Sequence, residues 1–434
     1  MQTYVKRFVW LVVLLGLVGC GLNPLGDNAM GDKIVLAASD ASRIAEPDVS
    51  GQALARLVED NQAFALELYR YLADRSQDDL FLSPHSISVA LAMTYAGARG
   101  ETESQMADTL HFTLPQDELH AAFNQLDLIL SARGEDAKGK DGEGFRLHVV
   151  NALWGQQGYD FEQAFLDTLA RNYGAGLRLV DFVEDAEGAR QTINAWVSEQ
   201  TEGRIEDLIP QGVLDAFTRL VLTNAIYFNA AWAEPFEESR TEDGPFYLLD
   251  GSSVEVPMMR QTERFAYTAG DGYQAVELPY DGRELSMVIL LPDSGEFADF
   301  ERDLDREKLA SILSALQSQR VNLAMPRFEF SSKFSLTDAL SELGMPVAFT
   351  EEADFSGINE RRELMITDVL HQAFVSVDEE GTEAAAATAV VVGLTSAMPE
   401  EPVEMTVDRP FIFLIRDIET GALLFVGRTL NPAN

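Results

Sequence analysis

The sequence predicts one large domain of the α+β class. The chain has 434 residues, of which 46% are apolar, enough to build a single extensive core. After residue 50, apolar residues recur at helical spacing, and several later runs have the composition of buried strands. Composition does not shift sharply after that point, and no internal repeat divides the chain. We therefore expect one domain over residues 51–434.

Helices and strands are predicted throughout this domain. The first helix is expected from Ala53, because apolar side chains follow at helical spacing. A second begins at Ser83-Pro84, where serine suits the N-cap and proline the first turn, and runs to Gly97. Further helices are predicted near residues 161–172, 187–200 and 334–343. Strands are predicted over Leu147–Trp154, Leu220–Phe228, Leu285–Leu291, Val321–Phe330 and Phe411–Leu414.

The first 50 residues differ in composition from the domain. Lys6 and Arg7 precede an apolar run, residues 8–18, which is short for a membrane span but suits a signal peptide. The run ends in Leu17-Val18-Gly19-Cys20, which resembles the lipobox of bacterial lipoproteins. The resemblance implies cleavage after residues 1–19, acylation of Cys20, and anchoring outside the cytoplasm at the bacterial cell envelope. An uncleaved membrane helix is the alternative.

Residues 20–50 are rich in small and polar side chains and lack periodicity. We expect them to form a flexible tether between the lipidated cysteine and the domain. Cys20 is the only cysteine, so no intrachain disulfide can form and no thiolate metal site is expected.

Charge and missing motifs exclude several function classes. The net charge is −39, and no Lys/Arg-rich run interrupts the acidic balance, so neither nucleic acid nor a heparin-like polyanion is expected as a partner. We interpret the acidity as a solvating surface, with an acidic docking face as the alternative. The sequence has no H-E-x-x-H, G-x-S-x-G, Walker or dinucleotide-binding motif. We expect no metal, no cofactor and no enzymatic activity, and a hydrolase is the least favoured alternative.

The most unusual segment lies near the C-terminus. Its residues are Glu379, Glu380, Gly381, Thr382, Glu383, Ala384, Ala385, Ala386, Ala387 and Thr388. Valines at 390–392 follow, so the segment changes from helix-compatible to strand-forming within a few residues. Residues 393–402 are predicted to be an exposed, protease-sensitive loop. On composition alone, a linker or short helix leading into the final strands is the simpler interpretation.

This segment closely resembles the reactive-loop hinge of inhibitory serpins. Other segments resemble the same family in the same order along the chain: Phe81–Ile87, Ile193–Val197, Leu222–Phe228 with Trp232, Asp354–Gly357 and Phe425–Arg428. The resemblance covers about residues 50–434. It implies three β-sheets, eight or nine helices and a reactive loop exposed above the largest sheet. It also implies a monomeric serine protease inhibitor that acts as a suicide substrate, trapping the acyl-enzyme as the cleaved loop inserts into that sheet.

The resemblance also implies roles for particular residues. Family spacing from Glu379 places the scissile bond at Thr395–Ser396, which suits an elastase- or subtilisin-like target. Cleavage between Leu394 and Thr395 is the alternative and suits a chymotrypsin-like target.

Two clusters within the main sheet carry over as well. The shutter, a hydrogen-bonded cluster beneath the centre of the sheet, corresponds to Ser83, Ser86, Asn224 and His371. The breach, at the upper end of the sheet, corresponds to Trp232, Arg327 and Glu379. Apart from the resemblance, Ser83 could be only a helix cap and His371 only a satisfied core histidine.

Two alternatives to inhibition remain within the serpin fold. A non-inhibitory serpin would act as a binding protein or chaperone, and such members commonly have bulky, charged or proline-containing hinges, unlike this one. A surface adhesion protein would borrow the fold and form no covalent complex with a protease.

Overall fold

A computed structural model of the chain describes residues 34–134, 137, 146–382 and 401–433. Within these ranges it contains nine α-helices, sixteen β-strands and two short 3-10 helices, Glu238–Arg240 and Pro346–Phe349. The helices are α1 Gly51–Arg75, α2 Pro84–Tyr95, α3 Gly100–Thr109, α4 Gln116–Ser131, α5 Gln163–Tyr173, α6 Phe182–Gln200, α7 Phe297–Arg302, α8 Arg306–Ala315 and α9 Thr337–Leu343. None of the helices in the described part of the chain is long and apolar enough to cross a membrane.

The strands fall into two hydrogen-bonded sheets. In chain order they are β1 Val35–Ala37, β2 Leu80–Leu82, β3 Arg146–Gln156, β4 Leu177–Val180, β5 Leu220–Ala231, β6 Glu242–Tyr247, β7 Ser253–Gly270, β8 Tyr273–Pro279, β9 Leu285–Pro292, β10 Gln317–Pro326, β11 Phe328–Ser335, β12 Asp368–Val377, β13 Gly381–Thr382, β14 Val403–Thr406, β15 Phe411–Asp417 and β16 Leu423–Thr429. The main sheet has the order β1-β4-β3-β5-β13-β12-β11. The second sheet has the order β14-β10-β7-β8-β9-β15-β16-β2, with β6 paired to β7.

The centre of the main sheet contains a parallel pair between antiparallel neighbours. β5 runs parallel to β12, β3 runs antiparallel to β5, and β11 runs antiparallel to β12. We call the contact between β5 and β12 the seam. The hinge end of the sheet is where β13 lies beside Ala230 and Ala231, and the opposite end is where Leu220 begins β5.

The main sheet is covered on both faces, which explains why most residues of β5 are apolar. Leu222 and Phe228 belong to the large core shared with the second sheet, α1 and α2, where Phe228 packs 5.6 Å from Phe425 between ring centroids. Val221 and Ala225 point the other way, into a smaller cluster beneath α6. Side chains at alternating positions therefore fill two different cores.

Serine caps position the first two helices, and the sequence predicts the second of these caps. The Ser50 side chain accepts a hydrogen bond from the Ala53 amide at the start of α1. The Ser83 side chain does the same for Ser86 in α2, with Pro84 in the first turn. The α+β class and the expected number of helices are confirmed within the described residues. Two of the three expected sheets are joined, because the long strand β7 pairs with β6, β8 and β10.

Two predicted element boundaries are wrong. The single strand predicted over Val321–Phe330 is two strands, since β10 ends at Pro326 and β11 begins at Phe328 in the other sheet. Proline has no amide proton to continue a ladder, so the chain changes sheets there. The helix predicted near 334–343 is confined to α9, because β11 continues through Ser335.

The expectation of a flexible tether through residue 50 is wrong for residues 34–50. Val35–Ala37 form β1, which pairs with β4 at the edge of the main sheet. Arg43 contacts α4 farther along, and Ser50 caps α1. Small side chains suggested a tether because they bury little apolar surface. Backbone pairing and charged contacts order this segment instead.

Candidate functional site

The first hinge residues lie inside the main sheet rather than above it. Gly381 pairs with Ala231 and Thr382 with Ala230 on β5, while Thr382 also pairs with Val377 on β12. The expectation of a wholly exposed loop is therefore corrected at its start. Thr382 is only 1% exposed. The first two hinge residues are therefore strand residues of the main sheet in the uncleaved chain.

The rest of the predicted loop lies outside the described residues. This applies to hinge residues Glu383, Ala384, Ala385, Ala386, Ala387 and Thr388, and to Leu394, Thr395 and Ser396 at the alternative scissile bonds. Cys20 and the signal peptide also lie outside them.

One side-chain contact and one steric restriction define the position of β13. The Thr382 hydroxyl lies 3.0 Å from the hydroxyl of Tyr280. A side chain on Gly381 would have no room, because an added Cβ would lie 2.1 Å from the carbonyl oxygen of Ala230. Its φ of 155° also favours glycine. Glycine is therefore required where the hinge enters the sheet.

A tight turn leads into this strand. The Asp378 carboxylate accepts hydrogen bonds from the amides of Glu380 at 2.9 Å and Gly381 at 3.2 Å. The indole of Trp232 donates a hydrogen bond to the carbonyl oxygen of Asp378 at 3.0 Å. The backbone amide of Trp232 donates to the carbonyl oxygen of Glu380 at 2.7 Å. The Trp232 ring stacks on Tyr280 at 4.7 Å between centroids. Trp232 therefore holds the turn by both its backbone and its side chain.

The predicted breach residues meet at this turn. Arg327 donates two hydrogen bonds to one carboxylate oxygen of Glu379, at 2.8 and 2.5 Å, and the Thr241 hydroxyl donates to the same oxygen. The Glu379 side chain is only 3% exposed. Burial alone raises the pKa of Glu379, but the bonds from Arg327 and Thr241 outweigh it and hold this pKa below its ordinary value. The ion pair therefore stabilises a charged carboxylate beside the hinge.

The predicted shutter residues also lie together, at the centre of the sheet. The Ser83 amide donates to Nε2 of His371 at 3.1 Å, and Nδ1 of His371 contacts the side-chain oxygen of Asn224. The Asn224 amide group donates to the Ser86 hydroxyl at 2.5 Å. Asn224 and His371 are register partners across the seam. A strand entering the seam must therefore separate them.

His371 is neutral in this environment. Complete burial lowers its pKa to about 3, although its bond to Asn224 opposes that shift. Because Nε2 accepts the Ser83 amide, the ring proton lies on Nδ1 and points to Asn224. This tautomer satisfies both nitrogens.

Sequence reasoning missed three members of the site. Asn151 on β3 lies opposite Asn224, accepts a hydrogen bond from Ser86 at 3.0 Å and completes the shutter. An asparagine within an apolar strand was the available signal. Tyr280 and Thr241, which contact the hinge, carry no local signal. No group of His, Cys, Asp and Glu side chains in the described ranges is arranged to hold a metal ion.

A protein-family model described as "Serpin (serine protease inhibitor)" matches residues 59–432. The chain is a serpin. A leukocyte elastase inhibitor of Sus scrofa is 42% identical over 386 residues, covering 86% of this chain and 98% of that protein. An uncharacterized serpin-like protein of Thermococcus kodakarensis is 42% identical over 371 residues, covering 85% of this chain and 84% of that protein.

A solved structure supports the same fold. The native state of tengpin, a thermophilic serpin, matches with a TM-score of 0.79 at 26% identity, covering 91% of this chain and 99% of that one. The serpin fold predicted from the sequence motifs is thus confirmed. In this serpin, the hinge, the breach and the shutter lie along one line, the seam between β5 and β12.

Proposed function

We propose that this serpin inhibits serine proteases as a monomeric suicide substrate, with cleavage of its loop followed by insertion of the hinge along the seam. The observation that carries the proposal is the position of Gly381 and Thr382. They already occupy the gap between β5 and β12 at the hinge end, antiparallel to both strands. Continued insertion would extend this existing strand along the seam once the loop is cut, and would separate Asn224 from His371.

Hydrogen bonding supports a driving force for insertion. The seam is a parallel pair from Val221 and Asp368 onward, and parallel pairing is slightly weaker than antiparallel pairing. A strand entering it would replace one parallel ladder by two antiparallel ladders. At about 1 kcal/mol net per added hydrogen bond, a strand of roughly a dozen residues contributes on the order of 10 kcal/mol before ordering costs.

The hinge side chains suit this path. In a strand that continues from Thr382, every second side chain faces the same side, at positions 384, 386, 388 and 390. These are alanine, alanine, threonine and valine, all small or β-branched. They would enter the packed interior without a bulky or charged group that must be buried.

The target class follows from the residues at the scissile bond. We propose Thr395–Ser396 as the bond, with Leu394–Thr395 as the alternative. Threonine before the bond suits elastase- or subtilisin-like proteases and leucine suits chymotrypsin-like ones. The 42% identity to a leukocyte elastase inhibitor supports an elastase-like target.

A denaturing gel tests the proposal. The protein is incubated separately with elastase, subtilisin and chymotrypsin, and we expect a band at the summed mass of inhibitor and protease because the acyl-enzyme ester survives denaturation. The released C-terminal fragment should begin at Ser396, or at Thr395 for the alternative bond. Protease whose active-site serine is chemically blocked is the control and should give no band. Complete loop cleavage without the band would contradict inhibition and favour a non-inhibitory serpin.

We also propose that the protein is a lipoprotein at the bacterial cell envelope, exposed outside the cytoplasm. The lipobox-like sequence before Cys20 supports this, and the thiol would carry the acyl group. The membrane would then be a partner through the lipid alone.

A further inference from the structure

An N-terminal segment outside the family match is docked along the edge of the main sheet. We call residues 34–44 the docked arm; the serpin match begins only at residue 59. In β1, Val35 pairs with Leu179 and Ala37 with Leu177, both on β4. Without the arm, β4 would be an exposed edge strand with unpaired backbone groups.

Side chains extend the docking onto two helices. The Ser39 hydroxyl donates to Asp167 on α5 at 2.5 Å. Arg43 donates to the side-chain oxygen of Asn124 at 2.8 Å and pairs with Asp127 at 2.5 Å, both on α4. The arm thus contacts β4, α5 and α4 in succession.

A glycine on the docking surface leaves space for the docked arm. Gly176 immediately precedes β4, and an added Cβ there would lie 2.9 Å from the Ala37 carbonyl oxygen and 3.1 Å from Leu36. Any larger residue at 176 would push the arm away. Backbone pairing, charged contacts and this glycine together indicate a specific site.

The register determines where the preceding chain leaves the domain. Val35 pairs with Leu179, Leu179 with Gly155 on β3, and Gly155 with Leu220 at the start of β5. The hinge residue Thr382 pairs with Ala230, ten residues farther along β5. At about 3.3 Å per residue, the exit point and the hinge lie roughly 33 Å apart along the sheet.

We propose that the docked arm sets the orientation of the protein at the membrane, so that the reactive loop faces away from the bilayer. The inference rests on the lipid anchor at Cys20 proposed above. Between Cys20 and the arm only residues 21–33 remain, and thirteen residues of chain span at most about 45 Å. Because this tether enters at the opposite end of the main sheet, the anchor restrains that end more closely than the hinge end, which lies roughly 33 Å farther along the sheet.

The docked arm makes its contacts away from the seam. Its partners belong to β4, α5 and α4, and none of these contacts ties β5 to β12. Release of the arm should therefore change orientation and leave inhibition in solution unaltered.

Fluorescence quenching on liposomes tests this inference. The full lipidated chain, whose native thiol is acylated, receives one new cysteine for a fluorophore, either Glu329→Cys near the hinge end or Ala216→Cys near the opposite end. Both positions are exposed. With a quencher on the lipid headgroups, the label at 216 should be quenched at least about twofold more than the label at 329, given their separation along the sheet.

Variants that release the docked arm supply the second part of the test. Gly176→Val forces a side chain into the arm, and the double variant Ser39→Ala/Arg43→Ala removes its ties without adding bulk. Both variants should abolish the difference in quenching between the two labels. Both should still form the covalent complex with the protease when they are assayed in solution. Gly51→Val is the matched control, since an added Cβ there meets nothing within 4 Å, and it should behave like the parent.

Each failure has a distinct meaning. Equal quenching of the two labels on liposome-bound parent protein would overturn the orientation and leave the anchor intact. Failure to bind liposomes at all would overturn the anchor and the orientation with it. A change in inhibition stoichiometry on releasing the arm would contradict the separation of the arm from the seam.

Discussion

In the proposed mechanism, Thr382 is the residue on which loop insertion would depend most directly. It is buried between β5 and β12, with its hydroxyl 3.0 Å from that of Tyr280. A large charged side chain at this position would have to enter the core or push the hinge out of the sheet. Insertion of the hinge would then be slower than hydrolysis of the acyl-enzyme, and the protease would be released.

We predict that Thr382→Arg converts the inhibitor into a substrate. The loop should still be cleaved, but the covalent band should be lost and several equivalents of inhibitor should be consumed per protease. Thr382→Ser is the control, because it keeps the hydroxyl that reaches Tyr280 and should preserve inhibition. An unchanged stoichiometry for Thr382→Arg would refute the role of this position.

Residue roles were predictable only where a local motif carried them. The hinge glycine and the breach residues Trp232, Arg327 and Glu379 stand in recognisable segments, and the structure brings them together. Asn151 joins the shutter only because β3 pairs with β5 in a register that places it opposite Asn224. Tyr280, which directly follows β8, reaches the hinge from a distant part of the sequence, and no local pattern encodes this contact.

At the scale of elements, one histidine joins three of them. His371 on β12 accepts a hydrogen bond from the amide of Ser83 at the N-cap of α2 and contacts Asn224 on β5. Protonation of its Nε2 would place two donors against each other and add a buried charge. Acid should therefore loosen α2 from the seam.

Stability should fall as the pH drops below 6.5. Burial lowers the pKa of His371 to about 3 and the pKa values of His85 and His120 to about 4, from an ordinary value of 6.5. Below pH 6.5 the unfolded chain binds more protons than the native one, so stability is complete above this pH and declines toward pH 4. Each histidine should cost about 2 kcal/mol of unfolding free energy between pH 7 and pH 5.

Urea titrations at pH 7, 6 and 5 measure this dependence. The variant His371→Gln should be less stable at pH 7 but show a shallower decline, because one buried titrating group is absent. An unfolding free energy that is flat between pH 7 and pH 5 would contradict the assignment of neutral buried histidines.

Element prediction succeeded where periodicity and caps agreed. α1 begins near the position predicted from apolar spacing, and α2 begins where the Ser83-Pro84 pair predicts it. It failed at Pro326, where two strands of different sheets adjoin, and in the docked arm, whose β1 forms only against β4. Strand pairing between distant segments leaves little trace in either local sequence.

For the whole molecule, the central question is whether the native fold stores free energy that cleavage releases. At the hinge end, Gly381 and Thr382 separate β5 from β12, whereas farther along the sheet these two strands pair directly with each other. In the proposed mechanism, the strand that starts with these two residues lengthens along the seam. Completing that strand requires the far end of the hinge to come free. The native protein would then be a state held by chain connectivity rather than the most stable packing of its residues.

Composition and periodicity could not predict this behaviour. They indicate an α+β domain with a large core, whereas the serpin motifs and the alanine-rich hinge are what point to a mobile strand. The family is confirmed by the match over residues 59–432, but the cost of opening the seam depends on contacts such as that between Asn224 and His371. Those contacts exist only in the folded chain.

The most direct test of the central claim is the melting temperature before and after a single cut in residues 393–398. A metalloprotease serves for the cut, because it attacks with water and forms no acyl-enzyme. We predict a rise on the order of 10 °C, because roughly 10 kcal/mol of added strand pairing is divided by an unfolding entropy of about 0.8 kcal/mol/K for a domain of this size. Cleaved protein that melts at or below the temperature of the intact protein would contradict it.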